Sequence, residues 1–182
     1  MGRGEAHCPV NPTPQAPRPS PLTMSDLQAL YQSVILDHNR SPRNHRTMAD
    51  ANRVAAGRNP LCGDEITVWL RVDDEQVADV SFQGKGCAIS QASASMMTQA
   101  VKGKSRAEAL ALFDRFHALV TGRAAASDVE AELGRLVALG GVARFPIRVK
   151  CASLGWHAFR TALEQGGMPA EGPAAAPAIS TE

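Results

Sequence analysis

The sequence predicts an α+β fold in which a small antiparallel sheet packs against several helices. Two observations carry that prediction. An amphipathic helical pattern comes first and a block of alternating strands follows it. Helical patterns then fill the rest of the body, so strands and helices are segregated along the chain. At 182 residues, 44% hydrophobic and 20% charged, the chain has the make-up of one ordinary globular domain with tails.

Proline marks the ends. Six prolines crowd residues 9–21, and Pro169, Pro173 and Pro177 lie among Ala and Gly near the C-terminus. Without backbone donors or apolar periodicity, residues 1–23 and 167–182 are expected to be disordered tails around a domain over 24–166. Met24 directly precedes the first ordered element and is a candidate native start. Ser25 with Gln28 reads as a capping box, and Leu27, Leu30, Tyr31, Val34, Ile35 and His38 keep helical spacing over 25–39. His38 reads as a packed or capping histidine. Ile66, Val68, Leu70 and Val72 alternate with Thr67, Trp69 and Arg71, predicting a strand over 65–73. Asp73-Asp74-Glu75 turns it into a second strand through Ala78, Val80 and Phe82, and a weaker third strand is expected near 52–57. A helix over 88–101 follows, with small residues for close packing on the sheet and Met96 and Met97 as core filler. Ser105 with Glu108 and Ser127 with Glu130 are further capping boxes, for helices near 105–120, which carries His117, and 127–138. The last helix is expected from Cys151 to Glu164, stopping at Gly166-Gly167.

Nineteen basic and eighteen acidic residues leave a formal charge of +1, which excludes strong nonspecific attraction to nucleic acid or anionic lipid. Aromatics at 4% make base-stacking platforms unpromising. No apolar run suits a membrane span or a signal peptide, so the expected location is the cytoplasm, with reduced thiols. The four cysteines, Cys8, Cys62, Cys87 and Cys151, form no CxxC pair and no evident disulfide framework.

Three of them lie at expected structural transitions. Cys62 sits in Asn59-Pro60-Leu61-Cys62-Gly63-Asp64, where Gly63 allows the Cys62 thiol and the Asp64 carboxylate to turn toward one point. Cys87 and Cys151 fall where helices are expected to begin, beside Lys85, Arg148 and Lys150. Helix N-termini and neighbouring cations favour thiolates. Gathered in space, three thiolates and Asp64 would complete a tetrahedron around Zn²⁺, with Arg148 offsetting the excess negative charge. A carboxylate is a harder zinc partner than sulfur, so such a site exchanges a ligand more readily than a closed four-cysteine site. The spacings match no zinc-finger rule, however, and on spacing alone three inert core thiols are the simpler reading. His45 and His157 are competing ligands, each simpler as a surface or packing residue.

The segments LYQSVILDHNRSPRN (30–44), RNPLCGDEI (58–66), FQGKGCAISQASASMM (82–97), VKGKS (101–105) and RFPIRVKCASLGWHA (144–158) together resemble the SufU/IscU-like family of iron–sulfur cluster assembly proteins. The resemblance spans about residues 25–165 and overturns the inert-thiol reading. It implies a SufE/IscU-like fold. The scaffold branch carries a histidine immediately before its third cysteine, after a Leu-Pro-Pro-Val-Lys stretch. Here that position is Lys150, preceded by Phe145-Pro146-Ile147-Arg148-Val149, and a helical segment is added over roughly 115–138. Both features resemble the SufU branch of zinc-dependent sulfur carriers. The resemblance then implies zinc ligands at Cys62, Asp64, Cys87 and Cys151 and a catalytic basic residue, Arg148, beside them that steadies the negative pocket or the incoming sulfur. It also implies catalysis by Cys62, which would leave the zinc on docking of a pyridoxal-phosphate cysteine desulfurase of the SufS type and accept its persulfide sulfur for the Suf cluster scaffold complex. An iron–sulfur scaffold, holding iron or a cluster, is the rival.

Overall fold

The computed structural model describes residues 24–165 and 178–180. Cys8, the segment 1–23 and the Gly166-Gly167 stop lie outside the described residues, as do the Ser25 and Gln28 side chains. Five α-helices, α1 (Met24–Arg40), α2 (Ala88–Val101), α3 (Arg106–Val120), α4 (Ala126–Leu133) and α5 (Pro146–Gln165), accompany strands β1 (Arg53–Asn59), β2 (Asp64–Asp73) and β3 (Gln76–Lys85). A 3-10 stretch, Gly134–Arg144, joins α4 to α5. The three strands form an antiparallel meander. Within the expected C-terminal tail, Ala178–Ser180 forms β4, which pairs parallel with β1 at the sheet's edge.

The alternation on β2 works as expected: Ile66, Val68, Leu70 and Val72 are buried in the main core. The opposite face is not left to solvent. Trp69 is buried there with Met48, Ala51 and Val54, because the chain before β1 folds across it. α5 packs on β1 and β2, and α2 packs on α5. The small residues of α2 meet α5 at close range: Ser93 Oγ donates to the Ala152 carbonyl at 2.6 Å, and Ala94 faces Gly155. Met96 and Met97 are core residues. His38 is buried and bonded through Nδ1 to Ser95 Oγ at 2.8 Å, a packing role.

Three boundaries differ from expectation, the first being the end of α4 at Leu133, five residues short of the expected 138, where the chain turns into the 3-10 stretch Gly134–Arg144. The Ser105–Glu108 capping box forms at α3, but α4 begins at Ala126 with Ala125 as an uncapped N-cap. Ser127 therefore lies inside the first turn, where its hydroxyl meets Asp128. α5 begins at Pro146, five residues before the expected Cys151. Proline suits the first helical position because its missing N–H would have no partner there. Cys151 consequently sits in the second turn of α5.

Candidate metal centre

The β1–β2 hairpin builds the first part of the site. Asn59 and Asp64 pair across it, leaving Pro60-Leu61-Cys62-Gly63 as a four-residue loop. Gly63 has φ +68°, the left-handed region that its lack of a Cβ permits, and its N–H reaches the Asn59 carbonyl at 2.9 Å. The Leu61 N–H bonds Asn59 Oδ1 at 3.2 Å. The loop thus exposes Cys62 while Asp64, the first residue of β2, is fully buried.

The β3–α2 junction supplies the second part. Cys87 is the N-cap of α2, and its sulfur accepts the Ser90 N–H at 3.4 Å. Its own N–H donates to Asp64 Oδ1 at 2.9 Å, and its thiol lies 3.6 Å from Asp64 Oδ2. Gly86 makes this approach possible: a Cβ there would lie 2.7 Å from Asp64 Oδ1 and 2.8 Å from its Cγ.

Helix α5 brings the third part. The buried Cys151 thiol points at Cys62 Sγ, 3.2 Å away, and Asn59 Nδ2 donates to Cys151 Sγ at 3.7 Å. The ligand atoms of Cys62, Asp64 and Cys151 all lie within 4.8 Å of one another, and Cys87 joins them through Asp64. The Asp64 carboxylate bonds the Cys87 N–H and thiol rather than a basic side chain. Buried carboxylate and converging sulfurs make a donor set suited to a thiophilic divalent cation.

The charge balance in the metal-free site corrects one expectation. Burial of its sulfur pushes the Cys87 thiol up, Asp64 adds to the rise, and the Ser90 N–H opposes it. Cys151 is raised further, by burial first, then by its Cys62 bond and the charges of Cys87 and Asp64. Neither is therefore held as a free thiolate. Desolvation and negative neighbours outweigh the helix end, and Cys151 is not at a helix start. The flanking cations are engaged elsewhere: Lys85 pairs with Glu65 at 3.2 Å, and the exposed Arg148 guanidinium stacks 4.4 Å over Phe145.

Arg148 also acts through its charge on half-buried Tyr31, a residue that Cys87 influences as well. The Arg148 charge lowers the Tyr31 hydroxyl pKa while Cys87 raises it, and burial, the largest influence, sets the net rise. His45 packs edge-on against Phe82, and His157 against Phe113 and His117. Neither belongs to a ligand cluster among the described residues. Sequence reading missed Asn59 and Gly86. Both lie inside motifs already singled out, yet their roles are contacts between segments distant in the chain.

Frame and site together define a domain built on a three-stranded meander that carries a candidate cysteine–aspartate metal centre. Residues 30–163 match the NifU-like N-terminal domain, and the chain belongs to that family. Its relatives include the zinc-dependent sulfurtransferase SufU of Bacillus subtilis, 43% identical over 79% of this chain and 97% of the relative. The iron–sulfur cluster assembly scaffold protein IscU of Streptococcus pyogenes is 42% identical over 79% of this chain and 89% of the relative. A crystal structure of an iron–sulfur cluster assembly scaffold protein for the SUF system from Fervidobacterium islandicum superposes with a TM-score of 0.69 at 34% identity, covering 75% of this chain and 98% of that one. The resemblance to the SufU/IscU group and the α+β architecture are both borne out. Among the described residues no helix is long and apolar enough to cross a membrane.

Proposed function

We propose that this chain is a zinc-dependent sulfur carrier that takes persulfide sulfur from a cysteine desulfurase and relays it for iron–sulfur cluster assembly in the cytoplasm. Cys62, Asp64, Cys87 and Cys151 are the zinc ligands in this reading. The observation that carries it is the asymmetry of the donor set: Cys62 is exposed on a hairpin loop, whereas Asp64 and Cys151 are buried beneath it. Zinc, when bound, supplies Lewis acidity that keeps sulfurs deprotonated despite the burial that otherwise raises Cys87 and Cys151.

The chain's own residues divide the work. Asn59 ties the loop backbone to Cys151 and so registers Cys62 over the buried donors. The Cys62 sulfur attacks the outer sulfur of the desulfurase persulfide. A new S–S bond forms on Cys62, the old one breaks, and the desulfurase cysteine leaves as a thiolate. Leu61 on the Cys62 loop, and Phe145 and Ile147 on either side of the first residue of α5, are exposed apolar side chains, which a pyridoxal-phosphate desulfurase of the SufS type would cover on docking. Arg148, stacked on Phe145, would steady the incoming negative charge in this reading. Delivery then goes to the Suf cluster scaffold complex. The SufU relative supports this reading, and Lys150, where the scaffold branch carries histidine, supports it further.

Mass spectrometry of the chain after mixing with a desulfurase and cysteine tests it. One added sulfur atom on Cys62, lost in Cys62→Ala together with desulfurase stimulation, is the expected result. Full stimulation by Cys62→Ala refutes it. The scaffold names of other relatives favour a second reading. A cluster that forms on anaerobic reconstitution and transfers to an apo-protein would establish that one instead.

A further inference from the structure

Cys62 and Cys151 lie closer than a shared metal requires. Their sulfurs are 3.2 Å apart, whereas two corners of a tetrahedron built on Zn–S bonds of ~2.3 Å stand about 3.8 Å apart. A disulfide needs about 2.05 Å. The pair therefore sits between the two states, with Cys62 on an exposed hairpin loop and Cys151 on the packed helix α5. Access is one-sided, since Cys62 is exposed and Cys151 is 2% exposed. Asn59 bonds Cys151 Sγ and the N–H of Leu61, the residue before Cys62.

We infer that Cys62 and Cys151 are an oxidation site: in the metal-free chain they close an intramolecular disulfide on contact with a small-molecule disulfide such as oxidised glutathione. Cys62, the accessible partner, reacts first. Its sulfur attacks one sulfur of glutathione disulfide, that S–S bond breaks, and one glutathione thiol leaves. Cys151 then attacks the Cys62 sulfur and expels the second glutathione. Each cysteine loses one electron and one proton, and one glutathione disulfide becomes two glutathione thiols. Cys87, whose thiol lies 3.6 Å from Asp64 Oδ2 and also interacts with Cys151, is the competing partner that the mapping below distinguishes. Disulfide and metal exclude each other, since both draw on the same two sulfurs; this clause rests on the ligand set proposed above. The chain would thus park its carrier cysteine reversibly when metal is scarce and conditions are oxidising.

The test uses the full chain, reduced, stripped with a chelator and incubated with oxidised glutathione, in parallel with the zinc-saturated chain. Peptide mapping by mass spectrometry should find Cys62 joined to Cys151 within one molecule, in wild type and in Cys87→Ser alike. Cys151→Ser should leave Cys62 as a persistent glutathione adduct. Zinc saturation should slow closure at least tenfold, and dithiothreitol should restore zinc binding. A persistent adduct on Cys62 in the wild type overturns the inference, as does linkage through Cys87 or between two molecules. Closure at the same rate with zinc overturns the exclusion clause and the ligand roles of Cys62 and Cys151. A chain that binds zinc and carries sulfur but never closes the bond refutes the disulfide alone.

Discussion

Gly86→Ala probes the metal centre without touching a donor atom. An added methyl at residue 86 would lie 2.7 Å from Asp64 Oδ1, 2.8 Å from Cγ and 3.0 Å from Cβ. Carbon and oxygen do not approach that closely, so the carboxylate or the β3–α2 junction must shift by several tenths of an ångström. Overpacking of this kind costs about 1–3 kcal/mol. The shift also strains the Cys87 N–H bond to Asp64 Oδ1, now 2.9 Å. If that cost falls on the metal-bound arrangement, zinc affinity drops by about 5–150-fold. If it falls on the metal-free fold, melting drops by about 2–12 °C. Competition against a chromophoric chelator reads the first and thermal unfolding without metal reads the second. Gly141→Ala is the control, because its nearest neighbour, Tyr31 Cδ2, is 3.9 Å away. If Gly86→Ala matches the wild type in both assays, the close approach of Gly86 to Asp64 does not hold the site together.

Further tests follow from the packing and the titrating groups. Asn59→Ala removes a buried amide that bonds both Cys151 and the Cys62 loop, and should destabilise by about 1–3 kcal/mol in chemical denaturation. Phe116→Ala empties a fully buried position stacked 4.4 Å from Trp156 and should cost about 3–5 kcal/mol by the same measurement. Acidification should weaken the fold through three histidines. Burial is the largest cause lowering His38, His117 and His157 below the usual 6.5, with Arg43 next for His38, Arg123 next for His117 and His117 next for His157. The unfolded chain then binds more protons, so stability is fully present above about pH 6.5 and is lost as pH falls toward the folded pKa values. The melting temperature should fall between pH 7.5 and 5.5, and His117→Gln should flatten that slope; an unchanged slope would count against a role for His117.

The elements were legible because their signals are local. Period-two burial on β2, helical spacing on α2 and the Ser105–Glu108 box depend on neighbours within a turn or a strand. The start of α5 was not, since Pro146 reads equally as loop or first helical residue until the chain is packed. The second cluster around Trp69 was hidden for a related reason: whether the outer face of a sheet is covered depends on where a preceding loop lands. At the site, the residue types and the chemistry they suit were readable, but their protonation was not. Helix-end reasoning favoured thiolates, whereas the packed site surrounds Cys87 and Cys151 with low-dielectric protein and negative charge. Arg148 was found by position, yet its orientation over Phe145 is a tertiary outcome.

By itself the sequence determined the strands of the meander and the centres of the main helices, and which sulfurs and carboxylate are available to a metal. Only the tertiary structure decided that Cys62, Asp64, Cys87 and Cys151 converge, which thiol is exposed and which is buried, and that Asn59 and Gly86 hold them there. Propensity acts over a few residues, whereas a coordination site is a set of distances between segments far apart in the chain, and those distances exist only once α5 and α2 have packed against the sheet.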